Sequence, residues 1–350
     1  MKSIVYERVG GSDVLRLVER VEPEPGPGQV RVRVAVSGVN PTDWKARRGA
    51  LGSSLPPTGQ VPNQDGAGTV DAVGEGVDPA RVGQRVWIWE AAWQRADGTA
   101  QEAVVLPARR AVPLPPAASF DLGASLGIPA MTAHRALTVH PDGPSVLGPS
   151  TLAGRTVLVA GGAGAVGHAA IELARWAGAN VVSTVSSPRK AALASAAGAH
   201  HIVNYRTPDA AEAVRKTAPD GVDMVVEVDP VVNAELNQQV IAPNGVVAIY
   251  ADTSGSQLTV PLRAHMFANT RLQFVLVYTM PDAAKRQAVE DVSAAVAAGA
   301  LRAGEDAGLP VHRFPLAETA AAHDAVEGGA VGKVLIDVRH DGRSKPPASR

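Results

Sequence analysis

Cysteine does not occur anywhere in the 350 residues. Its absence excludes disulfides, thiolate catalysis and zinc–thiolate sites outright. Long apolar runs are missing too: no segment approaches the ~20 uninterrupted apolar residues that a bilayer-spanning helix needs. The opening stretch, Met1-Lys2-Ser3-Ile4-Val5-Tyr6-Glu7-Arg8, has an early charge but no apolar run behind it. It does not read as a signal peptide, and a cytoplasmic location is the expectation. Charge of one sign is not in excess either. The 33 Lys and Arg against 34 Asp and Glu leave a formal net charge of -1, so electrostatics offer no case for nucleic acid or a membrane surface as partner. Aromatics are scarce, at 4%. The nine histidines form no HxxxH or HxH pair, and His200-His201 are strand neighbours that point to opposite faces.

What is present is ordinary for a globular protein, with 45% hydrophobic and 19% charged residues. The length exceeds what one compact core usually holds, so two domains are expected. Up to about residue 125 the chain is rich in Val, Gly and Pro. Val30-Arg31-Val32-Arg33-Val34-Ala35-Val36 alternates like a half-buried strand, and 68–74 and 83–89 read the same way. Short strands with frequent turns imply a small, mostly antiparallel β domain. Beyond that point the pattern changes. Thr156-Val157-Leu158-Val159-Ala160 is a continuous apolar run, as a buried parallel strand requires. Strands at 180–185, 202–203, 223–228 and 245–250 alternate with helical stretches, one of them Pro188 to Ala197 with Gly198 as its stop. This is the grammar of a doubly wound parallel sheet. Farther on, 272–278 reads as a strand, Pro281 to Gly299 as an Ala-rich helix, and 332–338 as a last strand. Pro141 to Pro149 reads as an exposed loop, and no internal repeats are found.

The strongest local signal is Ala160-Gly161-Gly162-Ala163-Gly164-Ala165-Val166-Gly167. Gly162, Gly164 and Gly167 have the Gly-x-Gly-x-x-Gly spacing. In that pattern the first glycine permits a tight turn, the second lets backbone approach a pyrophosphate, and the third packs helix against strand. The helix that opens at Ala165 and Val166 offers free N–H groups to the anion. An apolar strand before the loop and a helix after it make dinucleotide binding the expected role. NAD-binding versions carry Asp or Glu at the end of the second strand. Here Ser183-Thr184-Val185-Ser186-Ser187 stands in that place, with Arg189 and Lys190 following. Hydroxyls and cations suit a 2′-phosphate, so NADPH is the expected cofactor. The same residues fit a plainer role, with Ser187 capping a helix and Arg189 and Lys190 as solvated first-turn charges.

Several motifs fall in a recognisable order: Gly38-Val39-Asn40-Pro41-Thr42-Asp43, Gln64-Asp65-Gly66-Ala67-Gly68-Thr69-Val70, Val73-Gly74-Glu75-Gly76-Val77, Gly83-Gln84-Arg85-Val86, Met131-Thr132-Ala133-His134-Arg135-Ala136-Leu137, Ala322-His323-Asp324-Ala325-Val326-Glu327-Gly328-Gly329 and Gly332-Lys333-Val334. Over residues 1–338 this order resembles the zinc-independent quinone oxidoreductase (zeta-crystallin-like) branch of the medium-chain dehydrogenase/reductase family. The resemblance implies an α/β fold: a GroES-like, mostly antiparallel β catalytic domain over 1–125 and a Rossmann NADPH-binding domain over 126–268. Residues 269–339 would return to the catalytic domain, and 340–350 would be a mobile tail. It also implies cofactor in the cleft between the domains, and a homodimer or homotetramer. Ser187, Lys190 and Tyr205 occupy positions that surround the 2′-phosphate in the family. Tyr205 equally suits a tyrosine packed at a strand end. Tyr250, at the end of the strand 245–250, and Lys333 are also expected to bind cofactor. Zinc-dependent members carry Cys-His and His-Glu pairs where this chain has Asn40-Pro41 and Gln64-Asp65, and an amide and a proline ring cannot supply the soft or imidazole ligands zinc prefers.

The chemistry expected without a metal is direct hydride transfer from NADPH to a quinone, whose ring delocalises the charge that arrives. Asn40 is the first candidate to stabilise the developing oxyanion. Gln64 is a second donor, and Asp43 would orient its neighbours. With no titrating group invoked, the rate is expected to be nearly flat with pH. Trp44 and Trp89 are candidates for a stacking surface or for core. An enone or 2-enoyl thioester reductase is the alternative enzyme reading. Related enoyl reductases use a tyrosine after the Asn-Pro motif, and residues 41–60 contain none. A non-catalytic NADPH-binding protein, crystallin-like or regulatory, is the remaining alternative.

Overall fold

The structure is a computed structural model that describes residues 1–50, 52 and 55–338. The expected tail at 340–350 lies outside the described residues. Two sheets organise the chain. In the first, strands run in the order Val311–Pro315, Lys333–Asp337, Gln29–Val39, Asp65–Val73, Arg85–Ile88, Ala111–Pro113, with Ala103–Pro107 also paired to Gln29–Val39. Pairing is antiparallel except between Val311–Pro315 and Lys333–Asp337. The alternation seen in the sequence works as expected. Val30, Val32 and Val34 are fully buried, while Arg31 turns outward to Asp71 at 2.9 Å.

The second sheet is parallel throughout, in the order His201–Asn204, Asn180–Val185, Thr156–Ala160, Val222–Glu227, Ile241–Ile249, Arg271–Phe274. By chain order this is 3-2-1-4-5-6, with its switch point between Thr156–Ala160 and Val222–Glu227. The apolar run has its explanation in two-sided burial. Val157 and Val159 pack into the largest core cluster, while Leu158 packs on the opposite layer.

One expectation changes. The strand 272–278, assigned with the segment returning to the catalytic domain, ends at Phe274 and forms the edge of the parallel sheet. Only Val311–Pro315 and Lys333–Asp337 join the first sheet. The chain leaves strand geometry after Phe274 and makes a short 3-10 turn over Val277–Thr279. There the Lys285 ammonium donates to the Tyr278 carbonyl at 2.7 Å, so that carbonyl is lost to a ladder. The loop at 141–149 is pinned inward. The Leu147 N–H donates to Asp291 Oδ2 at 2.7 Å, and the same oxygen lies 2.7 Å from His134 Nε2. No helix among the described residues is long and apolar enough to cross a membrane.

Candidate active site

Asn40 ends the strand Gln29–Val39 and precedes the helix Pro41–Arg47. Pro41 pre-sets the first helical position and holds Asn40 extended, at φ -127° and ψ 161°. Asp43 Oδ2 accepts the Asn40 backbone N–H at 2.7 Å, and Asp43 Oδ1 has no partner among the described residues. The Asn40 side chain meets charged neighbours at both ends of its amide. Its Nδ2 donates to Asp65 Oδ2 at 2.8 Å, and its Oδ1 accepts from Lys333 Nζ at 2.7 Å. Lys333 Nζ lies 3.7 Å from Asp65 Oδ2. Both Asp65 oxygens accept from Ile128 N–H, at 2.9 and 3.0 Å, where the helix Gly127–Leu137 begins. A helix N-terminus favours a carboxylate. A side chain at Gly127 would collide with it, since a Cβ there would lie 2.1 Å from Asp65 Oδ1. Asn40, Asp43, Asp65 and Lys333 are 2%, 4%, 0% and 1% exposed.

Burial and the neighbouring Asp65 charge push the Asp43 carboxyl up to about 7. Burial also pushes Asp65 up, against the Lys333 ammonium, and pulls Lys333 down, against the two carboxylates. The Asn40 amide thus bridges an ammonium and a carboxylate. The Asp43 carboxyl, raised toward neutrality, accepts the Asn40 backbone N–H beside it. Gln64, 6% exposed, accepts the Ala92 N–H at 3.0 Å, which leaves its NH2 end as the donor. Trp89 is enclosed, with Arg110 and Lys285 at 5.6 and 5.9 Å from its ring, and belongs to the core. Trp44 is half-buried, and its Nε1 has no partner among the described residues.

Among the described residues, no three His, Cys, Asp or Glu side chains are grouped to hold a metal ion. Tyrosine, missing from 41–60, arrives from elsewhere: the Tyr278 hydroxyl donates to Thr42 Oγ1 at 3.0 Å. Nothing in the sequence signals this contact, which spans 236 residues.

The glycine loop is linked to the same residues through Gly164, which is bridged to Gly332. Gly161, not Gly162, takes the left-handed turn, at φ 68°. Gly162 is required by close approach instead, since a Cβ would lie 2.1 Å from Ser183 Oγ. A Cβ at Gly167 would lie 2.4 Å from the Gly161 carbonyl. At Gly164 a Cβ would meet nothing nearer than 3.5 Å, so the loop is open there. That opening, above the first N–H groups of the helix Ala165–Trp176, fits a pyrophosphate. Gly164 also forms a β-bridge to Gly332, next to Lys333. Lys333, expected to bind cofactor, turns its ammonium away to Asn40.

At the end of the second strand, Ser183 and Thr184 are buried, and Ser183 Oγ donates to the Val159 carbonyl at 3.1 Å. These two hydroxyls are therefore not available to a phosphate. Ser187 caps the helix Pro188–Ala196, accepting from Lys190 N at 3.4 Å. Arg189 is exposed and Lys190 half-buried beside it. Tyr205 is 37% exposed, and its N–H donates to the Val185 carbonyl at 3.1 Å, beside the same strand end. The Tyr250 N–H donates to the Glu227 carbonyl at 3.1 Å. Burial and the Glu227 carboxylate raise the Tyr250 phenol far above its ordinary value, so it stays protonated. Lys45 Nζ lies 2.6 Å from Asp252 Oδ1.

Residues 26–116 match the alcohol dehydrogenase GroES-like domain, and residues 165–296 match the zinc-binding dehydrogenase domain. A rat quinone oxidoreductase is 30% identical over 344 residues, covering 96% of this chain and 97% of the relative. A solved NAD-dependent alcohol dehydrogenase is 29% identical, with a TM-score of 0.83 over 97% of this chain and all of the other. A mycobacterial protein solved in complex with NADPH is 28% identical, with a TM-score of 0.79 over 96% of this chain and 99% of the other.

Proposed function

Because the chain belongs to the zinc-independent quinone oxidoreductase branch of the medium-chain dehydrogenase/reductase family, and is an oxidoreductase that uses a nicotinamide cofactor, we propose that it reduces quinones with NADPH. The observation that carries this reading is the meeting of the open glycine loop with the charged floor. Gly164 and Gly332 are bridged, and Lys333 ties Gly332 to Asn40 and Asp65. The bound cofactor supplies a hydride. The chain has to orient the acceptor, exclude water and offset the negative charge that builds on the acceptor oxygen. Lys333 puts a fixed positive charge under that oxygen, and Asn40 holds it in place. Ser187, Arg189, Lys190 and Tyr205 receive the 2′-phosphate. A homodimer or homotetramer, a small-molecule acceptor and a cytoplasmic location complete the reading.

One observation favours a second reading. The Tyr278 hydroxyl at Thr42 is a proton donor of the kind that an enone or 2-enoyl thioester needs once hydride has arrived. NADPH consumption against quinones, enones and enoyl thioesters separates the two. Turnover confined to quinones supports the first. Turnover confined to enoyl thioesters or enones, and lost in Tyr278→Phe, replaces it with the second. No turnover with any of them overturns both.

A further inference from the structure

Trp93 and Tyr278 form a face-to-face stack, with ring centroids 4.4 Å apart and an interplanar angle of 14°. The two come from separate loops, and each loop is tied to one site motif. The Ala92 N–H, next to Trp93, donates to Gln64 Oε1 at 3.0 Å. The Tyr278 hydroxyl donates to Thr42 Oγ1 at 3.0 Å, two residues past Asn40. Behind the stack lies a buried charged brace. Glu90, 1% exposed, lies 2.7 Å from Lys285 Nζ and 3.6 Å from Arg110 Nη2. The same Lys285 ammonium donates to the Tyr278 carbonyl at 2.7 Å.

The loop that carries Trp93 is also strained. Glu90 and Gln94 flank Trp93 in left-handed backbone, at φ 49° and 56°, where non-glycine residues rarely sit. Such strain persists only where the surroundings over-determine it, and it gathers at functional sites. Nothing in the cofactor loop requires it. Tyr278 is 3% exposed, while Trp93 is half-buried. Of the two rings, the indole is the one that keeps appreciable exposure.

We propose that the Trp93–Tyr278 stack is the platform on which the acceptor lies, and that it selects flat, fused bicyclic quinones over monocyclic ones. The proposal rests on the quinone reading above and names the substrate class of that site. An indole overlaps two fused rings more fully than one, and Tyr278 behind it, fixed at both its hydroxyl and its carbonyl, holds the indole plane rigid. Such pre-organised aromatic contacts add affinity beyond area burial alone.

The test compares 1,4-naphthoquinone with 1,4-benzoquinone in wild type, Trp93→Ala and Trp93→Phe. Wild type is expected to show the lower KM for the bicyclic quinone. Trp93→Ala should raise that KM about tenfold and Trp93→Phe about threefold, with a smaller rise, about threefold or less, for benzoquinone. Equal losses for both quinones, or a loss confined to kcat, would overturn the platform. A second arm needs no turnover: calorimetric titration of the NADP⁺-loaded protein with 2-naphthol and with phenol. Naphthol should bind about tenfold tighter, and Trp93→Ala should abolish the difference. If that preference is found but no quinone is reduced, the quinone reading falls and the platform stands. If quinones are reduced but naphthol and phenol bind alike, the platform falls and the quinone reading stands.

Discussion

Lys333 and Asn40, 293 residues apart in the chain, share a buried 2.7 Å hydrogen bond. Through it an ammonium from the last strand sits between an amide and a carboxylate from the first sheet, in a region with almost no solvent contact. A buried cation is tolerable only when paired and hydrogen-bonded. The amide and carboxylate meet that need, and they oppose the pull of burial on the ammonium.

Lys333→Met should therefore destabilise the protein markedly. It leaves Asp65 buried with Ile128 N–H and Asn40 but no counter-charge. Removing one partner of a buried pair costs about 3–5 kcal/mol. Urea unfolding is the measurement, and a change below about 1 kcal/mol would contradict the pairing described.

The pH profile should report Asp43. Its carboxyl, pushed up to about 7, ionises as the pH rises past that value and adds negative charge beside Asn40 and Asp65. Negative charge there opposes an oxyanion, so kcat/KM is expected to fall through pH about 7 and to flatten in Asp43→Asn. The sign for stability runs the same way. The folded chain holds a proton that the unfolded chain has released, so this contribution shrinks as pH rises from the ordinary aspartate range to about 7. A wild-type profile flat between about pH 6 and 8 would refute the assignment.

Cofactor choice should follow the strand end at Ser187. NADPH is expected to bind at least about tenfold tighter than NADH, and Lys190→Ala to narrow the gap several-fold. Tryptophan fluorescence titration measures both. Equal affinities for the two cofactors in the unmutated protein would remove the basis of this prediction.

Assembly should use the edge of the parallel sheet. Arg271–Phe274 is an edge strand, and around it Phe267, Leu262, Met266 and Phe274 are 81%, 70%, 67% and 67% exposed. An open strand edge with apolar cover invites pairing with a second copy. Light scattering should give a dimer or larger, and Phe267→Asp with Phe274→Asp should yield monomer. A wild-type monomer at tens of micromolar would rule this face out as the interface.

The fold was legible wherever periodicity carries it. Val30 to Val36 alternates because one face is buried, and Thr156 to Ala160 is continuous because both are. The dinucleotide loop was legible as spacing, but the spacing does not say that Gly161, rather than Gly162, makes the turn. The candidate site was legible only in its local half. Asn40-Pro41 and Gln64-Asp65 could be found as motifs. Lys333 too stood in a motif, but its pairing with Asn40 did not, and Tyr278 and Trp93 come from distant segments that no periodicity links to the site. Tyr278 in particular read as part of a strand, because apolar β-branched neighbours hide the turn that Lys285 imposes.

The placement of Lys333–Asp337 in the first sheet also sets an order of events during synthesis. Strand Gln29–Val39 emerges early, but its partner Lys333–Asp337 is among the last described segments to be made. A chain grows from its N-terminus and domains tend to fold in that order. Here the first domain cannot finish in that order. Until nearly the whole chain exists, Asn40 and Asp65 have no ammonium between them, and the parallel sheet has to form while the first sheet still waits for its final strands. Maturation of the charged floor is thereby tied to completion of the full chain, so a product truncated before residue 333 would carry the glycine loop without that floor.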